Sequence, residues 1–235
     1  MGVFKIEYFY SWNGGHADFE LEFDEHSIAL LNEPPDEIPD WAKLDYCKCP
    51  NCPLKTDEVE YCPTAVGLIP VVEGFKNIDS GHVVEVQATV ANRRIIMSAP
   101  ARLALSSVVG LISASAGCPH TIYFRPMVRY HLPLSNENET IMRAMSMYML
   151  GQYFANKSGD KPDMNMEGLW KIYEELQTVN MTLAERLRSV HATSSSVNSV
   201  ILLDMYTELI PREISSSIED LGHLFKSLKM ENQKT

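Results

Sequence analysis

Four cysteines carry the side chains best suited to chemistry in this 235-residue chain. Cys49 and Cys52 form a CxxC pair, while Cys62 and Cys118 each precede a proline, the latter directly after Gly117. Two cysteines separated by two residues can share one metal ion, because the turn between them aims both sulfurs at one point. We therefore predict that Cys49, Cys52, Cys62 and Cys118 converge as the ligands of one metal ion.

Zinc (Zn) is the leading metal, because it accepts four thiolates in a tetrahedron and needs no redox chemistry. An iron–sulfur cluster uses the same four sulfurs and is an alternative. Two further interpretations need no metal: separate buried thiols that behave as small apolar side chains, and a redox-active pair. For Cys47, which precedes the group, we expect an ordinary buried thiol.

Two histidines are further candidates. His120 follows Cys118 by two residues, so it could replace a cysteine as a ligand or orient one. His131 is expected in a polar pocket with Glu139 or Arg143. The alternative for both histidines is a loop position where the ring bonds backbone carbonyls.

Arg125 and Arg129 flank a short segment just before His131. A guanidinium group can grip an anion through two parallel hydrogen bonds, which makes both arginines candidates for an additional site. The alternative is pairing with acidic neighbours, which are numerous in this chain.

The composition limits the possible partners. The net charge is −11, which argues against general nucleic-acid binding, because that needs a basic face. We find no signal peptide, and no apolar run reaches the length of roughly 18 residues that a membrane span needs. A cytoplasmic location is therefore expected, where cysteines stay reduced. The usual motifs of nucleotide-binding proteins, zincins and serine hydrolases do not occur in the sequence.

The N-terminal half reads as an antiparallel sheet. Residues 3–11 and 18–24 alternate between apolar and polar side chains around an Asn-Gly-Gly turn, which predicts a hairpin. Residues 82–90 and 93–98 predict two more strands. Between the pairs, residues 27–60 are acidic and rich in proline, so we expect an ordered loop that the cysteines hold together.

The helical positions follow from apolar periodicity. Helices are predicted at 63–76, 101–116, 137–156, 164–191, 197–209 and 212–229, with one helical turn near 39–44 and a loop or short strand at 120–135. The helix at 137–156 is expected to be the most buried, because its apolar residues face several directions. Asn136 or Ser135 should cap it.

These elements give an α+β fold. We predict an N-terminal antiparallel sheet of about four strands with a cysteine-rich loop over residues 1–99, and a C-terminal helical bundle over 100–229. The two parts should share one core. A frayed tail is expected at 230–235.

The cysteine motifs also carry a resemblance. The relevant segments are Cys49-Pro50-Asn51-Cys52-Pro53-Leu54, Cys62-Pro63, Gly117-Cys118-Pro119-His120 and the run from Arg125 to Pro133. They resemble a family of uncharacterised bacterial proteins, a domain of unknown function, and the similarity extends through Tyr148, Gln152, Tyr153 and Phe154. Cys47 stands outside these motifs. The resemblance implies a bacterial source and carries no activity.

Two functions follow as hypotheses. The first is a cytoplasmic, metal-stapled protein without catalysis that acts through a protein partner, with a homo-oligomer as one form of that interaction. The second is a metal- or thiolate-dependent enzyme, or an iron–sulfur protein, built on the same cysteines with His120 or His131 as the acid–base group. A structural metal site is closed, whereas a catalytic site keeps an open position.

Overall fold

The computed structural model describes residues 2–189, 200 and 223–225. Four strands are present: β1 (Val3–Trp12), β2 (Gly15–Asp24), β3 (Val83–Val90) and β4 (Arg93–Pro100). Five helices are present in these residues: α1 (Pro63–Gly74), α2 (Ala101–Ser115), α3 (Arg125–Arg129), α4 (Glu137–Lys157) and α5 (Glu167–Ser189). The predicted α+β class is confirmed. The helices predicted at 197–209 and 212–229, and the tail, lie outside the described residues except for Val200 and 223–225.

The strands form one antiparallel sheet in the order β2-β1-β3-β4. Alternation puts every second side chain of β1 and β3 on one face, and Ile6, Tyr8 and Tyr10 of β1 are buried there. Their neighbours on the other face are mostly exposed. One face of the sheet therefore needs a cover, and the helices supply it.

Helix α2 is the main part of that cover. Ala104, Leu105 and Val108 are fully buried, and the hydroxyl of Tyr10 donates to the Ala104 carbonyl at 3.1 Å. Helix α1 crosses α2 at Gly67, where any Cβ would come within 2.7 Å of the Ile112 side chain. The largest apolar cluster joins side chains of the sheet with those of α1, α2 and α5, so it draws residues from both sides of position 100.

The prediction that the helix at 137–156 is the most buried element is wrong. In α4, Ile141, Ala144 and Met145 are buried, and they pack in a separate small cluster against α5. Further along, Leu150 and Phe154 are 51% and 58% exposed. The apolar residues that point away from this cluster are therefore exposed to solvent rather than covered by other elements.

The segment 120–135 also differs from expectation. In place of a loop or short strand, it forms a 3-10 turn at Ile122–Phe124 followed by α3. Pro126 lies in the first turn of α3, where the missing N–H has no helical acceptor to lose. The capping prediction for α4 is confirmed, since Asn136 and Glu139 form a capping box.

No helix in the described part of the chain combines the length and apolar character that crossing a membrane requires.

The finding that α2, rather than α4, is buried in the core can be tested with a pair of matched substitutions. Leu105→Ala should lower the free energy of unfolding by about 2–5 kcal/mol, because it opens a cavity in the core. Leu150→Ala, the same change at an exposed site, should alter it by less than about 0.5 kcal/mol. Urea unfolding of both variants measures the difference, and a large effect of Leu150→Ala would restore the original prediction for α4.

Candidate metal centre

Cys49, Cys52, Cys62 and Cys118 line one cavity of about 30 Å³. They come from three separate parts of the chain: the turn 49–52, the residue that precedes α1, and the residue that follows Gly117. Gly117 has φ +107°, a conformation that favours glycine, and it turns the chain back after α2. The cavity is large enough to hold one water molecule or ion.

The loop that carries the first cysteines is closed at its base by short backbone contacts. Lys43 and Tyr61 form an isolated antiparallel bridge, and the Cys62 N–H donates to the Ala42 carbonyl at 2.8 Å. Cys62 then precedes Pro63, the first residue of α1. The bridge thus brings the two ends of the cysteine loop together beside the helix start.

The CxxC turn is fastened to α5. The Cys52 N–H donates to the Cys49 carbonyl at 3.0 Å, and the Asn51 side-chain amide donates to both the carbonyl and the carboxylate of Glu175. The His120 ring bonds the Asn51 carbonyl through Nε2 at 2.8 Å. Its Nδ1 lies 3.6 Å from a Glu175 carboxylate oxygen, so His120 bridges the turn and the helix.

The cysteines are influenced by one another and by nearby donors. Burial raises the pKa of Cys49 to about 11, and the other three cysteines add to the rise. Burial also raises the pKa of Cys118, although the His120 backbone N–H and the Thr121 side chain hydrogen-bond to it and act in the opposite direction. Without a cation, both groups therefore stay protonated at neutral pH.

Sequence reasoning missed Arg186, which also lines this cavity. Its side chain is buried, and Nη1 donates to the carbonyls of Trp41 and Lys43 while Nη2 donates to that of Cys47 at 3.1 Å. None of the salt bridges between described residues involves Arg186. One buried cation therefore satisfies three loop carbonyls next to four thiols.

Two details limit this site. Cys47 is exposed, so the expectation of a buried thiol there is wrong; it has φ +46° and contributes its carbonyl to Arg186 instead. Across residues 2–189, 200 and 223–225, no three His, Cys, Asp or Glu side chains form a group that could already hold a metal ion. The four sulfurs share a cavity, and an ion would have to draw them inward.

The remaining candidate residues, His131, Arg125 and Arg129, do not line the cysteine cavity. His131 is buried in a different cavity that Arg143 also lines, and its Nε2 hydrogen-bonds the Tyr8 hydroxyl. Burial, with a contribution from Arg143, lowers the pKa of His131 to about 3. Arg129 stacks over the Phe4 ring at 4.6 Å. Arg125 has a buried Nε without a hydrogen-bond partner among the described residues.

The family of the chain follows from a comparison with family models. A model described as a domain of unknown function, DUF6901, matches residues 6–226. The chain belongs to this family. No curated protein and no solved structure matched the chain. The DUF6901 match spans the cysteine loop, all five helices named above and the sheet except for the first three residues of β1, and it assigns no activity.

Arg186 should matter for stability far more than a neighbouring arginine on the same helix. Arg186→Met removes three hydrogen bonds from loop carbonyls and should lower the free energy of unfolding by about 2–4 kcal/mol. Arg188 is exposed, so Arg188→Met is the matched control and should change it by less than about 0.5 kcal/mol. Urea unfolding measures both, and equal effects would contradict the role of Arg186.

His131 should make the protein sensitive to mild acid. Its pKa in the folded state lies below the ordinary value of about 6.5, so the unfolded chain binds the proton more readily. Neutral His131 contributes fully to the free energy of unfolding above pH 6.5, and this contribution is lost as the pH falls toward the pKa of His131 in the folded state. Between pH 7 and pH 5 the free energy of unfolding should fall by about 2 kcal/mol more in the wild type than in His131→Gln. Parallel pH profiles of urea unfolding would show equal losses if His131 were accessible to protons.

Proposed function

We propose that the chain is a metal-binding protein in which Cys49, Cys52, Cys62 and Cys118 hold one zinc ion. The ion ties the cysteine-rich loop to the end of α2, and the protein acts through a partner rather than by catalysis. The observation that carries this proposal is that four cysteines from three parts of the chain line one small cavity beside a buried arginine.

Charge supports a tetrathiolate site. Zinc bound to four thiolates carries a formal charge of −2, and burying that charge is costly unless a cation lies close by. Arg186 is buried at the same cavity and forms no salt bridge with a described residue. Its three hydrogen bonds go to neutral loop carbonyls, so they leave its positive charge without an anion among the described residues. Metal binding would release the thiol protons and place an anionic group beside Arg186.

The surroundings offer further support. The His120 backbone N–H lies close enough to Cys118 to lower its pKa, and a donor of this kind stabilises a thiolate. Thr64 also lines the cavity, and its buried hydroxyl has no partner among the described residues. A bacterial cytoplasm, the setting we propose, keeps such cysteines reduced and available to a metal.

The proposed partner would be a protein, either a different chain or a second copy of this one. Leu150, Tyr153 and Phe154 in the last turns of α4 are all more than half exposed, and exposed apolar clusters of this kind commonly mark protein contacts.

The second candidate function is an enzyme that uses a cysteine thiolate with His120. The observation in its favour is the His120–Glu175 pair at 3.6 Å beside the thiol cavity, because a carboxylate that orients a histidine is typical of acid–base sites. The cysteine cavity is small and closely surrounded. His131, the other acid–base candidate, lies in a different cavity.

Metal identity distinguishes a zinc site from an iron–sulfur cluster and from unligated thiols. Protein purified without oxygen should contain one zinc ion per chain by elemental analysis and show no absorption in the visible range. Iron with visible absorption would instead establish an iron–sulfur protein. Protein without any bound metal, even after incubation with zinc, would eliminate the proposed site.

The structural role of the metal is tested by limited proteolysis. Cys52→Ser should lower zinc content and expose residues 34–62 to protease, because the loop lacks a core of its own and local opening breaks few contacts. A strong chelator should do the same to the wild type. Cys47→Ser is the matched control, since Cys47 is exposed, and it should retain both zinc and protection. If Cys52→Ser and Cys47→Ser behave alike, the four cysteines are ordinary thiols.

A further inference from the structure

A second cavity, distinct from the cysteine cavity, lies among α2, α3, α4 and α5. Its volume is about 160 Å³, close to that of an engineered apolar cavity of about 150 Å³ that binds benzene. Much of its lining is apolar, including Leu111, Phe124, Met127 and Leu176. The space therefore suits a small molecule with a compact apolar body.

The same cavity contains polar atoms without partners. Asn180 on α5 is 4% exposed, and its Nδ2 has no hydrogen-bond partner among the described residues. Ser113 on α2 also lines the cavity, and its buried hydroxyl is likewise unpartnered within those residues. A buried amide N–H without an acceptor costs about 1–3 kcal/mol, so a ligand that accepts a hydrogen bond would recover that cost.

Arg143 gives the cavity a positive charge. Its Nη2 donates to the carbonyls of Met127 and Tyr130 at 2.9 and 3.3 Å, and none of the salt bridges between described residues includes it. Glu139 acts on Arg143 electrostatically, but one of its carboxylate oxygens accepts from the Asn136 backbone N–H at the cap of α4. Within the described residues, the guanidinium thus lies at an apolar cavity without a paired anion.

We propose that this cavity binds a small carboxylate, with its apolar body against Leu111, Phe124 and Leu176 and its anionic group toward Arg143 and Asn180. The donors on the protein side are a cation and an amide N–H, which match a carboxylate rather than an amine or another cation. Ser113 can donate or accept at the same wall. The proposal is independent of the cysteine site, because none of these residues lines the cysteine cavity.

The test uses the full chain and four probes. Benzoate and hexanoate are titrated by calorimetry and NMR, beside benzyl alcohol and 1-hexanol as neutral probes of matching body. The carboxylates should bind at least about tenfold more tightly than the alcohols, because a hydrogen bond to a charged group accounts for a factor of that size. Absence of benzoate and hexanoate binding at millimolar concentration, or equal binding of alcohols and acids, overturns the proposal.

Two variants locate the site. Asn180→Asp keeps the shape of the side chain and replaces the N–H donor by an oxygen, so benzoate affinity should fall at least about tenfold. Asn156 is exposed on α4, and Asn156→Asp adds the same charge as the control, with no loss of affinity expected. Unchanged benzoate affinity in Asn180→Asp overturns the proposal. If circular dichroism shows that Asn180→Asp does not fold, the four probes on the wild type decide the question alone.

Discussion

The packing of α2 against the sheet is the constraint on which the rest of the structure depends. Ala104, Leu105 and Val108 are fully buried, and the Tyr10 hydroxyl fixes the helix to the central strand β1. Where α2 ends, the chain turns at Gly117 and delivers Cys118 to the cysteine cavity. Ser113, in the last turn of α2, lines the second cavity. One helix position thus determines part of both candidate sites.

The long segment between β2 and α1 depends on a different kind of support. It forms only a 3-10 turn at Asp40–Ala42 and isolated bridges, so few of its carbonyls are satisfied by regular structure. Helix α5 supplies donors from outside through Arg186, and its Glu175 accepts from Asn51. The loop is therefore ordered by polar contacts with a helix more than 120 residues further along the chain, as the separation of 124 between Asn51 and Glu175 illustrates.

Local patterns in the sequence were sufficient for most elements. Alternation and the Asn-Gly-Gly turn predicted the hairpin, and Asn136 or Ser135 as the cap predicted the start of α4. The burial of α4 was not predictable, because an apolar residue such as Leu150 gives the same periodicity whether a neighbour covers it or solvent does. Apolar periodicity does not show which face of a helix packs against another element, because that depends on the tertiary fold.

Some features of the candidate site were likewise predictable from the sequence, and others were not. The CxxC spacing, the prolines and Gly117 pointed to four cysteines in one place, and the structure brings them to one cavity. Arg186 escaped notice because an arginine on an amphipathic helix ordinarily lies in solvent. The pairing of His131 with Tyr8 spans 123 residues, and no local pattern indicates a contact at such a distance.

The hydrogen bonds of Arg186 determine which positions in and around the loop tolerate substitution. Its acceptors belong to Trp41, Lys43 and Cys47, but they are main-chain carbonyls, which all amino acids possess. Side chains at those three positions can change without loss of an acceptor, provided that the backbone keeps its path. The donor cannot change so freely, since only arginine presents several N–H groups in one rigid plane. These bonds therefore constrain the residue type at Arg186, whereas they place no constraint on the side chains of Trp41, Lys43 and Cys47.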